Sequence, residues 1–592
     1  MFSLTRYSGI AGLLSLVCFA HSAVCLAQSS TPAGQGPTPP APLVNNGAAP
    51  AATPSTTAPA PNPALAPATA SLGDAFALYR RGDFAAALGT YNAILQAKPK
   101  SPDAYAGIIR CYLKQNKVEQ AVQAADQALA NVESPRVHTA HAEVLFRQGK
   151  INEADKEWVN VVNSGYPEPR AYLGLARVRN ASAMYKTAAT LLNKAHELDP
   201  SDPDIQELWI ESLPRRQRIK FLDESLASPN WDPAERASAT SYLQQLKDSE
   251  NNKDKTCHLV SKVTSTETPL VRLFTDPTHL RGYGLSVEVN GHKSSLMLDT
   301  GASGILVKRA IAERAGVSKI SETTVGGIGD KGRRNAFVGT ADSIKIGELE
   351  FRNCSIEVME SRSVAEEQGL IGANVFEQFL VDIDFPGEKL KLSQLPQRPG
   401  EAVQNLGLNA EGSDTDDSVA PESERDSNAA QAKAPASPPT PASFLQDRYI
   451  APEMRTYTRL LRFGHELLIP TSIGNVPPKL FLIDTGSLTN FISPSAAREV
   501  TKVSGDPDTI VKGLSGNVAK VFSANKAILQ FGGLRQENQE MTSFDTTGIS
   551  NSTGTEISGF LGFTTLRLLD IKIDYRDALV SFSYDPKKWR IQ

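Results

Sequence analysis

Two short triplets in this chain of 592 residues join a carboxylate, a hydroxyl and a glycine: Asp299-Thr300-Gly301 and Asp484-Thr485-Gly486. One carboxylate can hold a water molecule. Hydrolysis of an unactivated carbonyl bond also needs a base to activate that water and an acid to protonate the carbonyl oxygen. Two carboxyl groups about 3 Å apart cannot both ionise, so they share a proton and supply both roles. A lone triplet is an ordinary turn in many proteins. Two of them in matching surroundings point to a paired-carboxyl site.

The surroundings do match. Leu285 to Val289 reads as a strand, Asn290-Gly291 as a turn, and Leu296-Met297-Leu298 as a buried strand running into Asp299. The same order returns with Ile469 to Ile473, the turn Gly474-Asn475-Val476-Pro477-Pro478, and Leu480-Phe481-Leu482-Ile483 running into Asp484. Downstream of each copy lies a glycine-rich hairpin whose backbone suits a flap over a cleft: Gly326-Gly327-Ile328-Gly329 in the first and Gly513-Leu514-Ser515-Gly516 in the second. Each copy then carries two apolar residues before a glycine, Leu370-Ile371-Gly372 and Phe560-Leu561-Gly562. Alternating segments follow, Val381-Asp382-Ile383-Asp384-Phe385 and Ile571-Lys572-Ile573-Asp574-Tyr575.

On these motifs both copies resemble retropepsin-type aspartic protease lobes, and the tandem is similar to the two-lobed pepsin arrangement, over residues 256–396 and 446–592. The resemblance implies two all-β lobes about a pseudo-twofold axis, with Asp299 and Asp484 as the catalytic dyad and a peptide or protein as substrate. It further implies that Thr300 and Thr485 lock the two loops, that Gly301 and Gly486 let them meet, and that no metal or other cofactor takes part. Ala302 follows the first triplet and Ser487 the second, so a hydroxyl is in place to hydrogen-bond the Asp484 carboxylate only. Neither flap has the tyrosine of the pepsin flap, which leaves backbone groups as the expected substrate contacts. A third arrangement, each lobe pairing with its like in another chain, is also open to a linker of this length.

Other groups read more plainly. The histidines, His292 and His465 among them, pair with no nucleophile and read as surface residues. Asp382, Asp384 and Asp574 alternate with apolar residues and read as one solvated strand face, not as a metal site. No phosphate loop or dinucleotide fingerprint is present.

Between about Leu72 and Leu246 a pattern recurs with a period of about 34 residues. Gly82-Asp83-Phe84, Asn116-Lys117-Val118, Gly149-Lys150-Ile151 and Tyr185 each open the second helix of a pair, with Ala87, Ala121, Ala154 and Ala188 at its tight contacts and Pro99 and Pro200 beyond its end. The segment resembles the tetratricopeptide repeat over about four units, with Ala75, Ile109 and Ala176 at the position where that repeat carries a small residue. An all-α solenoid over 71–250 is therefore expected, its concave face offering a groove to a protein partner and remaining separable from the cleft.

Arg6, the apolar run from Ile10 to Ala20 and the exit Cys25-Leu26-Ala27 read as a signal peptide over 1–27, so the chain is expected to be exported, periplasmic or secreted, with no membrane span after cleavage. Residues 28–70 and 397–445, rich in Pro, Ala and Ser, read as disordered linkers. Cys111, Cys257 and Cys354 read as three buried thiols, with a single Cys257–Cys354 bridge as the alternative. A formal charge of -4 excludes a polycation for nucleic acid. Two functions compete: an exported aspartic endopeptidase, and a non-catalytic protein-binding scaffold with inactive lobes.

Overall fold

A computed structural model describes residues 70–227, scattered positions from 236 to 247, and 257–360, 368–399 and 446–587; the expected signal peptide and the body of both linkers lie outside the described residues. Pro102, Pro135, Pro169 and Pro203 each stand at the start of a helix, where the missing N–H costs nothing. Four helix pairs result: α1 (Leu72–Arg80) with α2 (Phe84–Ala97), α3 (Pro102–Lys114) with α4 (Val118–Asn131), α5 (Pro135–Arg147) with α6 (Ile151–Asn163), and α7 (Pro169–Ala181) with α8 (Tyr185–Leu198). A further pair, α9 (Pro203–Ser212) and α10 (Arg215–Leu226), extends the expected four units. The turn within each of the four pairs passes through a residue with φ between 56° and 77°: Gly82, Asn116, Gly149 and Ala183. Helices approach tightly at Gly107 and Gly174, where a Cβ would enter the rings of Tyr91 and Trp158. These glycines stand two positions before Ile109 and Ala176, so the tight position is displaced from the one expected.

The concave groove is not open. Side chains from the first helix of all five pairs converge there. Tyr79 of α1 donates to Asp204 of α9 at 3.0 Å, and the Arg170 guanidinium of α7 lies over the Tyr79 ring. Arg170 also binds Asp202 at 2.5 Å and Asp204 at 2.7 Å, Lys114 reaches Asp204 at 2.5 Å, and Glu143 accepts from Arg110. A peptide entering here would have to break buried, mutually satisfied ion pairs.

The β region has two lobes and a sheet common to both. In the first lobe, a nine-stranded sheet sets Gly369–Gly372 parallel to His292–Asp299, with Ile371 opposite Leu298. In the second, a ten-stranded sheet sets Gly559–Leu561 parallel to Lys479–Ile483, with Leu561 opposite Ile483. The apolar-apolar-glycine motif is thus the strand that flanks each Asp-bearing strand. The lobes join through a six-stranded sheet in which Phe379–Asp384 pairs antiparallel with Asp570–Asp574, Val381 facing Ile573 and Ile383 facing Ile571. The lobes therefore pair within one chain. Tyr283, Phe385 and Phe563 stack around the junction with centroids 5.6 to 6.1 Å apart, inside a hydrophobic core that runs through both lobes.

Three expectations are corrected here. Asp384 and Asp574 are buried rather than solvated. Each accepts from a backbone N–H three residues on, Gly387 or Asp577, so they are turn-forming carboxylates of the shared sheet. Cys257 and Cys354 form a disulfide, leaving Cys111 as the buried thiol among the described residues. The repeats are not a separate body. Phe146, Trp158, Leu175 and Val178 share one hydrophobic cluster with Leu468, Leu480 and Phe560 of the second lobe. Thr555 donates to the Phe146 carbonyl at 2.7 Å, and Asp447 caps α8 by accepting from the Thr187 N–H at 3.0 Å and hydroxyl at 2.7 Å. No helix among the described residues is long and apolar enough to cross a membrane.

Candidate active site

The two triplet loops interlock. Thr300 N–H donates to the Thr485 hydroxyl at 3.0 Å, and Thr485 N–H to the Thr300 hydroxyl at 3.0 Å. Each hydroxyl in turn donates across the axis, Thr300 to the Ile483 carbonyl at 2.7 Å and Thr485 to the Leu298 carbonyl at 2.8 Å. All four groups are buried, so nothing but this exchange satisfies them. A Cβ on Gly301 would stand 2.9 Å from the Asp484 carboxyl carbon, and one on Gly486 would collide with the Asp299 carboxylate. Only glycine lets the loops close. Replacing Thr300 by valine keeps the shape but strands the Thr485 N–H and the Ile483 carbonyl. The loss of stability should be roughly 2–4 kcal/mol, read as a lower urea midpoint at unchanged slope.

Asp299 accepts from Gly301 N–H at 2.8 Å. Asp484 accepts from Gly486 N–H at 2.9 Å, from Ser487 N–H at 3.0 Å and from the Ser487 hydroxyl at 2.6 Å. The two carboxyls lie within hydrogen-bond reach of each other, and burial together with the Asp484 charge holds the Asp299 carboxyl well above the usual carboxylate range. One proton shared by the pair follows.

The two flaps meet tip to tip. The first is the hairpin of Ser318–Val325 with Arg334–Ile346, and the second is the tight hairpin of Lys512–Gly513 with Gly516–Asn517. Gly327 N–H donates to the Ser515 hydroxyl at 3.1 Å, Ser515 N–H to the Ile328 carbonyl at 2.9 Å, and Lys331 N–H to the Ser515 carbonyl at 2.9 Å. Side chains on Gly329 or Gly513 would strike the opposite flap's backbone, at Gly516 and Ile328 respectively, and Leu514 packs against Gly327.

Three residues here escaped the sequence reading. Arg281 in the first lobe donates to the Gly486 carbonyl at 2.9 Å, and His465 in the second hydrogen-bonds the Gly301 backbone. The strand registers, Gly284 opposite Met297 and Leu468 opposite Leu482, make these two side chains equivalents. Each lobe therefore latches the opposite loop. His465 is not the surface residue expected: burial pushes its imidazole down to about 4. Next to it Glu466 is buried and pushed up to about 7, by burial first and then by the Asp484 charge. Arg281 stands 18 positions before Asp299 and His465 stands 19 before Asp484, and the two share no residue type, so only the strand register reveals their equivalence. His292 is exposed, as expected. Among the described residues no three groups converge as metal ligands would.

Parts of the chain are similar to known proteins. Residues 285–375 match the family model for aspartyl proteases, and residues 78–144 match one for the tetratricopeptide repeat. The chain is 32% identical over 108 residues to DNA damage-inducible protein 1 of Chaetomium globosum, covering 18% of this chain and 23% of that protein. It is 30% identical over 125 residues to the protein of the same name from Neurospora crassa, covering 21% and 26%. It is also 26% identical over 133 residues to the UBA domain-containing protein Mud1 of Schizosaccharomyces pombe, covering 22% and 39%. These matches span only about a quarter of the length of the first two relatives. Among solved structures, an aspartic proteinase from Irpex lacteus aligns at 13% identity with a TM-score of 0.31, covering 54% of this chain and 98% of that one. The chain thus carries a segment similar to the tetratricopeptide repeat, over 78–144, ahead of a segment similar to aspartyl proteases, over 285–375.

Proposed function

We propose that the chain is an exported, metal-independent aspartic endopeptidase that hydrolyses peptide bonds with a water held between Asp299 and Asp484. The observation that carries this reading is the interlocked pair of loops, which brings two carboxyls within reach of one proton. Asp484, facing three donors, takes a proton from the water as it attacks the peptide carbonyl. Asp299 gives its proton to the carbonyl oxygen. The resulting tetrahedral species collapses as Asp484 passes the proton it took to the leaving amine and Asp299 recovers one from a hydroxyl of the new carboxyl group. The flap tips, whose N–H and C=O groups now satisfy each other, would exchange those bonds for bonds to an extended substrate backbone. Because the proton on Asp299 is required, activity should be highest in acid and fall as pH rises through its raised pKa.

Export is supported by the N-terminal pattern and by the Cys257–Cys354 disulfide, which belongs in an oxidising compartment. The repeats, with their inner groove filled, are assigned the holding of the second lobe, and any external partner is assigned to their outer surfaces. The rival reading, a scaffold with inactive lobes, predicts binding without turnover. Purified chain incubated with a peptide library across pH should cleave on the acid side, be blocked by pepstatin and be indifferent to a chelator. Binding without cleavage at every pH would favour the scaffold, and chelator inhibition reversed by zinc would overturn the proposed chemistry.

A further inference from the structure

A second carboxyl pair bridges the lobes, far from the reaction. Asp382 stands on the last strand pair of the first lobe and Asp570 on the partner strand of the second. In the antiparallel register Asp382 faces Lys572 and Asp384 faces Asp570, which sets Asp382 and Asp570 on one diagonal of one face. On each, Oδ1 is buried with no donor to accept from. The two carboxyls are within hydrogen-bond reach of each other, and two carboxylates so close repel unless one of them carries a proton.

The surroundings cover the pair only in part and supply partial compensation. The segment after the second linker lies over this face, with Tyr449, Ala451, Met454 and Tyr457 packed on Leu380 and Leu579. The charged groups around the pair are Lys572, whose Nζ is 3.7 Å from Asp382, and Lys391, which is occupied by Asp384 at 3.1 Å; Asp384, Asp574 and Glu453 are the nearby anions, and Tyr457 is the remaining titratable group.

We propose that Asp382 and Asp570 share one proton across the interlobe sheet, a clamp that ties the two lobes together in acid and loosens as the medium turns alkaline. Burial and the Asp570 hydrogen bond push the Asp382 carboxyl up to about 7. The folded chain therefore binds this proton more tightly than the unfolded chain, whose carboxyl titrates near 4. The stabilisation is complete at low pH and is lost as pH rises through about 7. The device is independent of catalysis, and it would give a protease that works in acid a joint that is firm in acid.

The test uses the full chain carrying Asp299→Asn, so that the shared proton of the triplet site no longer contributes. Melting temperature is measured from pH 5.5 to 8.5 with and without Asp382→Asn, whose amide can donate permanently to Asp570. Glu207, Glu466 and Asp574, also raised by burial, act equally on both chains. The parent should lose roughly 2 °C more than the variant over this range. At pH 8.5 its amides in 379–384 and 570–574 should exchange faster than the variant's. Asp570→Asn should reproduce both effects. Parallel melting profiles, equal exchange in those strands, or failure of both amide variants to fold at pH 5.5 would overturn the clamp. No readout depends on hydrolysis, so the result stands apart from that of the peptide-cleavage assay.

Discussion

Asp299→Asn and Asp484→Asn should each retain no more than about a thousandth of the parent's turnover on a peptide substrate, with folding intact, because each removes half of a proton-sharing pair. Mixing the two full-length variants should restore nothing. Each cleft is assembled from one chain: four strands of the shared sheet in series, Ser265–Pro269, Lys389–Gln394, Phe379–Asp384 and Asp570–Asp574, pass from one lobe to the other. Exchange of lobes between chains would have to break that ladder and the reciprocal threonine bonds together. Assaying the mixture at rising concentration checks this, and a rescue that grows with concentration would mean that lobes swap.

Removal of residues 72–226 should leave the protease lobes insoluble or partly unfolded, with loss of activity even on short peptides. This departs from the expectation that the repeats are separable. Phe146 meets Phe463 with centroids 6.4 Å apart, Gly149 abuts Glu556 and Leu480, and the cluster continues through Leu468 and Phe560 into the second lobe's interior. Uncovering even three such side chains costs about 5–9 kcal/mol at about 1.5–3 kcal/mol each, comparable with the 5–15 kcal/mol that holds a domain folded. Solubility, near-UV circular dichroism and peptide turnover of the truncated chain measure the effect. A soluble, fully active truncation would show that the repeats are dispensable.

The paired site was legible because its chemistry is local: a strand, a turn and three residues repeated in order. The flaps were legible for the same reason, since Gly326-Gly327-Ile328-Gly329 and Gly513-Leu514-Ser515-Gly516 are continuous. What the residues did not disclose depends on who stands opposite whom. Asp384 and Asp574 alternate with apolar residues as an exposed strand face does, and become buried only because a second lobe and the segment from Tyr449 to Tyr457 close over them. His465 reads as a surface residue until Gly301 arrives from the other lobe. Cys257 and Cys354 lie 97 positions apart, with no local pattern to join them. The helix pairs could be counted, yet the filling of their inner groove requires Tyr79 to meet Asp204 from four units away, which no period reveals.

The weaving of strands through the shared sheet bears on what a protease would gain by cutting this chain between its lobes. A nick between 400 and 445 would fall outside the described strands of that sheet, both flaps and both Asp-bearing loops. The halves would stay gripped by the Val381–Ile573 ladder on one side and by Asp447 on α8 on the other, because the piece that begins after the cut is fastened both to the first lobe and to the repeats. Maturation by cleavage at that place would yield a two-chain molecule with one working shape, in which the covalent link between the lobes has become dispensable once folding is complete.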